Sequence, residues 1–230
     1  MILACLTGCG SETVQPVARS TQQQLEQPTP EDSGSAIETE IHFDSAPDTL
    51  FAPADSATDF YQKGPYGVSA SSERLELDGC NLSYAVFEPV DVETDVWMIL
   101  GHGFSRNEER MADLAEHVAS YGIAVATPRY CFSGPFRVDH PRNAQNAVAL
   151  SRALTGPGQV VIHAGQSAGG LAAVLAAVDD EQTIAVLALD LTDANALALE
   201  AASDVSVRAF GLFGEARSCN ADGNGVEVFD

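Results

Sequence analysis

Val160-Val161-Ile162-His163-Ala164-Gly165-Gln166-Ser167-Ala168-Gly169-Gly170-Leu171 is the stretch whose reading decides the fold. Its first three residues are an apolar, β-branched run, and Leu171 to Val178 has the composition of a buried helix. Between them Gly165 to Gly169 has the form G-x-S-x-G. A strand, a sharp turn and a helix are predicted, with Ser167 at the apex. Such a turn strains the serine backbone and lifts its hydroxyl out of the sheet edge, where a base and an ester carbonyl can reach it. Glycines two residues either side avoid a clash between strand and helix. The plainer alternative is a Gly-rich turn that only joins two elements.

Outward from this stretch the elements alternate. Arg74 to Leu77 and Leu82 to Phe87 read as strands joined by a hairpin at Asp78-Gly79. A strand at 95–100 includes Val96-Trp97-Met98-Ile99-Leu100 and runs into Gly101-His102-Gly103-Phe104. Ser105 and Glu108 have the spacing of a capping box, Met111, Leu114, Ala115 and Val118 recur at helical spacing, and Gly122 stops that helix. Ile123 to Ala126 is a strand. Asp139-His140-Pro141 opens a helix that runs to about Leu154. Ile184 to Leu189 and Val205 to Phe213 complete the strands. This alternation predicts an α/β fold: a mainly parallel sheet with helices on both faces. Sites in such sheets form at the C-terminal ends of strands. Phe104, Ser167, Asp190, Glu215 and the loop after Thr127 all fall there.

Composition narrows the function classes. The chain has 230 residues, a formal charge of −22 and one lysine, Lys63. Nucleic-acid binding needs clustered Lys and Arg, so it is excluded as a leading reading. No run of 18 apolar residues marks a membrane span. Residues 1–9 read as part of an export signal: Leu6-Thr7-Gly8-Cys9 resembles a bacterial lipobox, with Cys9 as the lipidated residue. No basic residue precedes it, which places the expected start further upstream. Gly10 and Ser11 lack the aspartate of inner-membrane retention, so the lipobox resemblance implies an exported, outer-membrane lipoprotein. Residues 10–60 read as an acidic tether: ten acidic residues and Arg19 as its one base lie between Gly10 and Asp59. Residues 61–230 are the folded domain.

From Tyr61 onward the chain resembles the chlorophyllase and PET-hydrolase-like (cutinase-type) branch of the α/β-hydrolases. The resemblance rests on Gly64-Pro65-Tyr66-Gly67-Val68, on His102-Gly103-Phe104, on His117 to Gly122 with Val125 to Pro128, and on Leu189-Asp190-Leu191-Thr192-Asp193. The elbow departs from it, with Gln166 where histidine is common. The resemblance implies ester hydrolysis through an acyl-serine, with no metal and no organic cofactor. It makes the amides of Phe104 and Ala168 the oxyanion donors, a role worth roughly 3 kcal/mol per donor. His102 then shapes the loop. The acid is Asp190, with Asp193 and Glu215 as alternatives; Asp193 also suits a helix N-cap.

The triad base is absent. A serine needs a histidine to take its proton, and in this fold the order is Ser, acid, His. None of the 63 residues after Ser167 is histidine; His42, His102, His117, His140 and His163 all precede it. His163 reads as a core side chain and His140 as a residue near a helix start at the loop end, with a substrate-side role as its lesser alternative; none of the five has the topology of a triad base. The ending at Val226 to Asp230 falls where the resemblance implies a further strand, the histidine loop and a helix, so a shortened, inactive form of an ordinary esterase is expected. The alternative is a catalytically dead binding protein on the cell surface. A nucleotide-binding domain is disfavoured, because the glycines lack G-x-G-x-x-G spacing and no P-loop lysine follows. Three further expectations concern cysteines, substrate and partners. Cys131 and Cys219 both follow strands at one sheet edge and are a candidate disulfide. Tyr130, Phe132 and Phe136 are candidates to line a pocket for a small ester or lipid-like substrate. The membrane is a partner only through the lipid anchor, and oligomeric state is left open.

Overall fold

The computed structural model describes residues 60–229, so the signal with Cys9 and almost all of the acidic tether lie outside the described residues. Nine strands and four α-helices follow one another in it. They are β1 Val68–Leu77, β2 Cys80–Pro89, β3 Val96–Gly101, α1 Ala112–Ala119, β4 Ala124–Pro128, β5 Ser133–Gly134, β6 Arg137–Val138, α2 His140–Leu154, β7 Val160–Gln166, α3 Ala168–Asp179, β8 Thr183–Leu189, α4 Leu197–Ala201 and β9 Arg208–Leu212. Seven of the strands form one sheet in the order β1-β2-β4-β3-β7-β8-β9, and β5 and β6 form a separate hairpin. The pairs β1–β2 and β2–β4 are antiparallel. Every later neighbour is parallel. The mainly parallel, two-sided α/β architecture expected from the alternation is present.

Strand periodicity sorts the core into two layers. Along β3, Trp97 and Ile99 face one side, where they join Leu82, Tyr84, Val161 and the α2–α3 residues Ala144, Ala147, Leu150, Ala172 and Ala176. Met98 and Leu100 face the other, against Met111, Ala115 and Ala119 beneath α1. Buried alanines on the helices let backbone and sheet approach closely. Each fully buried Leu contributes about 1.5–3 kcal/mol relative to exposure.

Helix starts show one success and one correction. Asp139 caps α2, its carboxylate accepting from the Arg142 N–H at 3.1 Å, with proline in the first turn. Ser105 does not form the expected capping box. It adopts φ 54°, and its N–H donates to the Ser133 carbonyl at 2.8 Å. The helix region instead begins with a short 3-10 turn, Glu108–Met111, entered from Asn107. A tertiary bond to the β5 hairpin outweighs the local cap.

The cysteine pairing also differs. Cys80 is bonded to Cys131, with Cα atoms 5.9 Å apart, so Cys131–Cys219 does not form. Antiparallel pairing aligns Tyr84 with Pro128 and Phe87 with Val125. Continued back to Cys80, that register brings it opposite residues 131–132. Cys219 follows β9, four strand spacings from β4 across the sheet, roughly 19 Å. It is exposed.

Candidate active site

Ser167 sits between β7 and α3 with φ 52° and ψ −118°, a conformation that costs a non-glycine residue of order 1–3 kcal/mol. Two glycines permit it. A Cβ on Gly165 would overlap the Gly169 backbone, and one on Gly169 would overlap the Gly101 carbonyl. The strand end, the helix start and the β3 loop therefore meet through bare backbone. Leu171 N–H closes the first helical turn on the Ser167 carbonyl at 3.2 Å, and Ser167 N–H donates to Leu189 O at 2.9 Å.

The loop after β3 passes over this apex. A Cβ on Gly103 would lie 3.5 Å from the Ser167 Cβ. Phe104 is the next residue, and Ala168 follows the serine. Among the described residues neither the Phe104 nor the Ala168 amide has a hydrogen-bond acceptor. His102 is buried, and its Nε2 accepts from the Tyr130 N–H at 3.1 Å. That leaves Nδ1–H to donate to the Gly103 carbonyl at 2.8 Å. Burial lowers the His102 pKa, and the hydrogen bond to Gly103 only partly opposes it. A neutral ring bracing the loop is thereby favoured, the shaping role expected for it.

The three candidate acids have different surroundings. Asp190 ends β8 at φ 51°. Its Oδ1 accepts from the Asn220 side-chain amide at 3.0 Å and from the Gly214 N–H at 3.2 Å. Asp193 is occupied as a helix cap: its two oxygens accept from the Ala198 and Leu199 amides at 2.9 and 3.0 Å. Glu215 is exposed and pairs with Arg217 at 2.9 Å. Only Asp190 keeps a carboxylate oxygen uncommitted while being held in place.

No described histidine takes the base position. The Ser167 hydroxyl instead donates to Thr192 Oγ1 at 3.2 Å. His163 is buried on β7, where its Nε2 meets Asp180 at 2.9 Å and Ser151 donates to the same carboxylate oxygen at 2.5 Å. Burial pushes the Asp180 carboxyl up, but these two hydrogen bonds, the attraction of the His163 ring and the Gln182 N–H outweigh it and hold it low. This network ties α2, β7 and the end of α3 together, leaves His163 Nδ1 buried with no partner among the described residues, and does not reach Ser167. His117 stacks edge-on with Tyr121 at the end of α1. His140 is half-buried. Burial lowers its pKa, while Asp139 and Asp193 act in the opposite sense.

Sequence reasoning missed Thr192 and Asn220. Neither carries a local signal: each matters through a partner 25 and 30 residues away respectively. The aromatic candidates divide. Tyr130 and Phe132 are buried in the core, and Phe132 is covered by the Arg137 and Arg142 guanidinium groups at 4.3 and 4.2 Å. Phe136 alone is exposed. A cavity of about 360 Å³ on α2, lined by Gln145, Val148 and Arg152 among others, contains none of the candidate site residues. The backbone geometry at Ser167 marks the site better than that depression does. Among the described residues no group of His, Cys, Asp or Glu is arranged to hold a metal, and no helix is long and apolar enough to cross a membrane.

No protein-family model and no curated protein matches the chain. Solved structures do. One is a crystal structure assigned as a dienelactone hydrolase from Klebsiella pneumoniae subsp. pneumoniae, similar at TM-score 0.58 and 15% identity over 70% of this chain and 78% of that one. At that identity the likeness speaks to architecture. Together with the sheet order and the strand-serine-helix turn, it shows that this chain has the α/β-hydrolase fold.

Proposed function

We propose that the chain carries a serine hydrolase site for carboxylic esters, with Ser167 as nucleophile, the Phe104 and Ala168 amides as oxyanion donors and Asp190 as the acid. The observation that supports it most is Ser167 itself. It holds a positive φ at a turn built from glycines, beside two amides with no acceptor among the described residues. Such strain persists where the surrounding structure over-determines it, and it clusters at functional sites. In the acylation step the serine oxygen attacks the ester carbonyl carbon and loses its proton to a base. The alkoxide leaves with a proton, and the acyl group stays on Ser167 until water removes it. The described residues supply nucleophile, acid and oxyanion donors, and the base must come from outside them. The fold likeness to a hydrolase is consistent with this chemistry.

The second reading, a binding protein with a silent site, is favoured by the Ser167–Thr192 hydrogen bond, which occupies the hydroxyl where a base would take its proton. One experiment separates the two. The protein is incubated with a p-nitrophenyl ester, with and without added imidazole as a diffusible base. Stoichiometric acylation of Ser167 by mass spectrometry, accelerated by imidazole and lost in Ser167→Ala, is expected. An unlabelled Ser167 in folded protein, or equal labelling in Ser167→Ala, overturns the hydrolase reading. The same proposal places the domain outside the inner membrane on a lipid at Cys9, in keeping with a disulfide-bearing fold. Cys9→Ala then moves the protein from the membrane to the soluble fraction.

A further inference from the structure

Gly101 to Ser105, the loop that carries the Phe104 amide, is held at both ends by one short segment. At its start, the Tyr130 N–H donates to His102 Nε2 at 3.1 Å, and a Cβ on Gly101 would lie 2.8 Å from the Tyr130 hydroxyl. At its end, the Ser105 N–H donates to the Ser133 carbonyl at 2.8 Å. Residues 130–133 thus clamp the loop, and Cys131 lies inside the clamp. Its disulfide fixes the clamp to Cys80 at the start of β2. The surrounding bonds follow the same direction. Asn146 donates to Cys80 Sγ at 3.5 Å, and Arg137 and Arg142 donate to the Gly79 and Asp78 carbonyls at 3.2 and 3.1 Å. The non-covalent anchors of the segment gather on Phe132 and Ser133: Asn143 bonds the Phe132 N–H at 3.2 Å and its carbonyl at 2.9 Å, the Asp139 N–H donates to the same carbonyl at 3.1 Å, and Ser133 pairs with Val138.

We infer that Cys80 and Cys131 are positioning residues for the oxyanion loop: their disulfide holds the 130–133 clamp, and through Tyr130 and Ser133 it fixes where the Phe104 amide points. A dithiol reductant breaks the bond by supplying two electrons and two protons. Two thiols form in the protein and the reductant closes to its own disulfide. The 130–133 segment then keeps only its non-covalent anchors, and the loop loses its covalent support. An oxyanion donor acts only while held at the reacting oxygen, so the redox state of this pair sets the readiness of the site. That last consequence rests on the hydrolase reading; the structural coupling does not.

The test uses the chain oxidised, the chain treated with dithiothreitol, and the Cys80→Ser/Cys131→Ser variant. Amide hydrogen exchange is followed at Ser105 and Tyr130, and the His102 ring nitrogens by 15N spectroscopy. On reduction both amides are expected to exchange about tenfold faster, as local opening without global unfolding would give. His102 Nε2 should lose the signature of a hydrogen-bonded acceptor, while exchange across α3 and β8 stays constant. Unchanged exchange at Ser105 and Tyr130 overturns the inference, since the non-covalent anchors then suffice. A rise that is equal in α3 and β8 overturns it as well, because the bond then acts on the whole fold. Acylation by the p-nitrophenyl ester with imidazole is measured in parallel. Faster exchange with an unaltered acylation rate keeps the clamp and refutes Phe104 as a donor, which separates the two failures.

Discussion

The two ends of the candidate site are built in different ways. At Ser167, the proposed nucleophile, position comes from backbone sterics: Gly101, Gly165 and Gly169 are packed so closely that no side chain fits. At Asp190, the proposed acid, position comes from side-chain hydrogen bonds. Asp190 is held by Asn220, whose own place depends on an irregular 3-10 segment, Ser218–Gly223, with Ala221 and Asp222 at positive φ. Steric constraint is local and unforgiving. Hydrogen-bonded positioning is long-range and can be loosened one bond at a time.

The largest expected effect tests that contrast directly. Gly169→Ala drives a methyl group into the Gly101 carbonyl, in backbone that has no free space to yield. A loss of about 3 kcal/mol or more in urea unfolding is expected, at the upper end of overpacking costs. Gly214→Ala, at the acid end, places its methyl 3.7 Å from the nearest Asp190 oxygen and should change stability by less than about 0.5 kcal/mol. Similar losses for the two would break the comparison.

Asn220→Ala should be intermediate. Asn220 is buried and bonds Asp190, the Glu215 carbonyl and the Arg217 N–H. Its removal is expected to cost about 1 kcal/mol, the net worth of hydrogen bonds whose partners can turn to solvent. Imidazole-assisted acylation of Ser167 should continue, because elbow and oxyanion loop are untouched. Loss of Ser167 labelling in a folded Asn220→Ala protein would show that the two ends are not independent.

A smaller effect belongs to the nucleophile side. His102 has its pKa lowered by burial from 6.5, so the unfolded chain takes up a proton at a higher pH than the folded one. Stability is therefore greatest above pH 6.5 and declines as the pH falls below it, by at most about 1.4 kcal/mol per pH unit for one group. His140 shifts in the same direction and adds to the decline. Asp180 adds a separate acid limb: its carboxyl is held below 3.8, so its contribution is present above that value and is lost as pH falls through its folded pKa. Urea midpoints from pH 8 to about pH 2 check both limbs, and His102→Gln should flatten the slope below pH 6.5. An unchanged slope in that variant would remove His102 from the account.

Much of this architecture was legible in the chain. The strand, the glycines and the helix around Ser167 are contiguous, so their sterics operate within a dozen residues and leave a mark in the sequence. The alternation of apolar strands and helices likewise reported the parallel sheet, and Asp139 with Pro141 reported the start of α2. Ser105 was misread as a cap because its partner, the Ser133 carbonyl, arrives from a hairpin elsewhere in the chain.

What tertiary structure alone decided is every pairing across the sheet beyond the hairpin at Asp78-Gly79. Cys131 meets Cys80 because β2 runs antiparallel beside β4, whereas Cys219 lies beyond three further strands. Asp193 is spent on capping α4, Glu215 faces solvent, and Asp190 is oriented by Asn220. Thr192 receives the Ser167 hydroxyl for the same kind of reason. The sequence by itself determined the elbow and the type of fold, because steric exclusion and hydrophobic periodicity act between near neighbours. Which side chains share a hydrogen bond or a disulfide depends on strand order and register, and those exist only once the chain has folded.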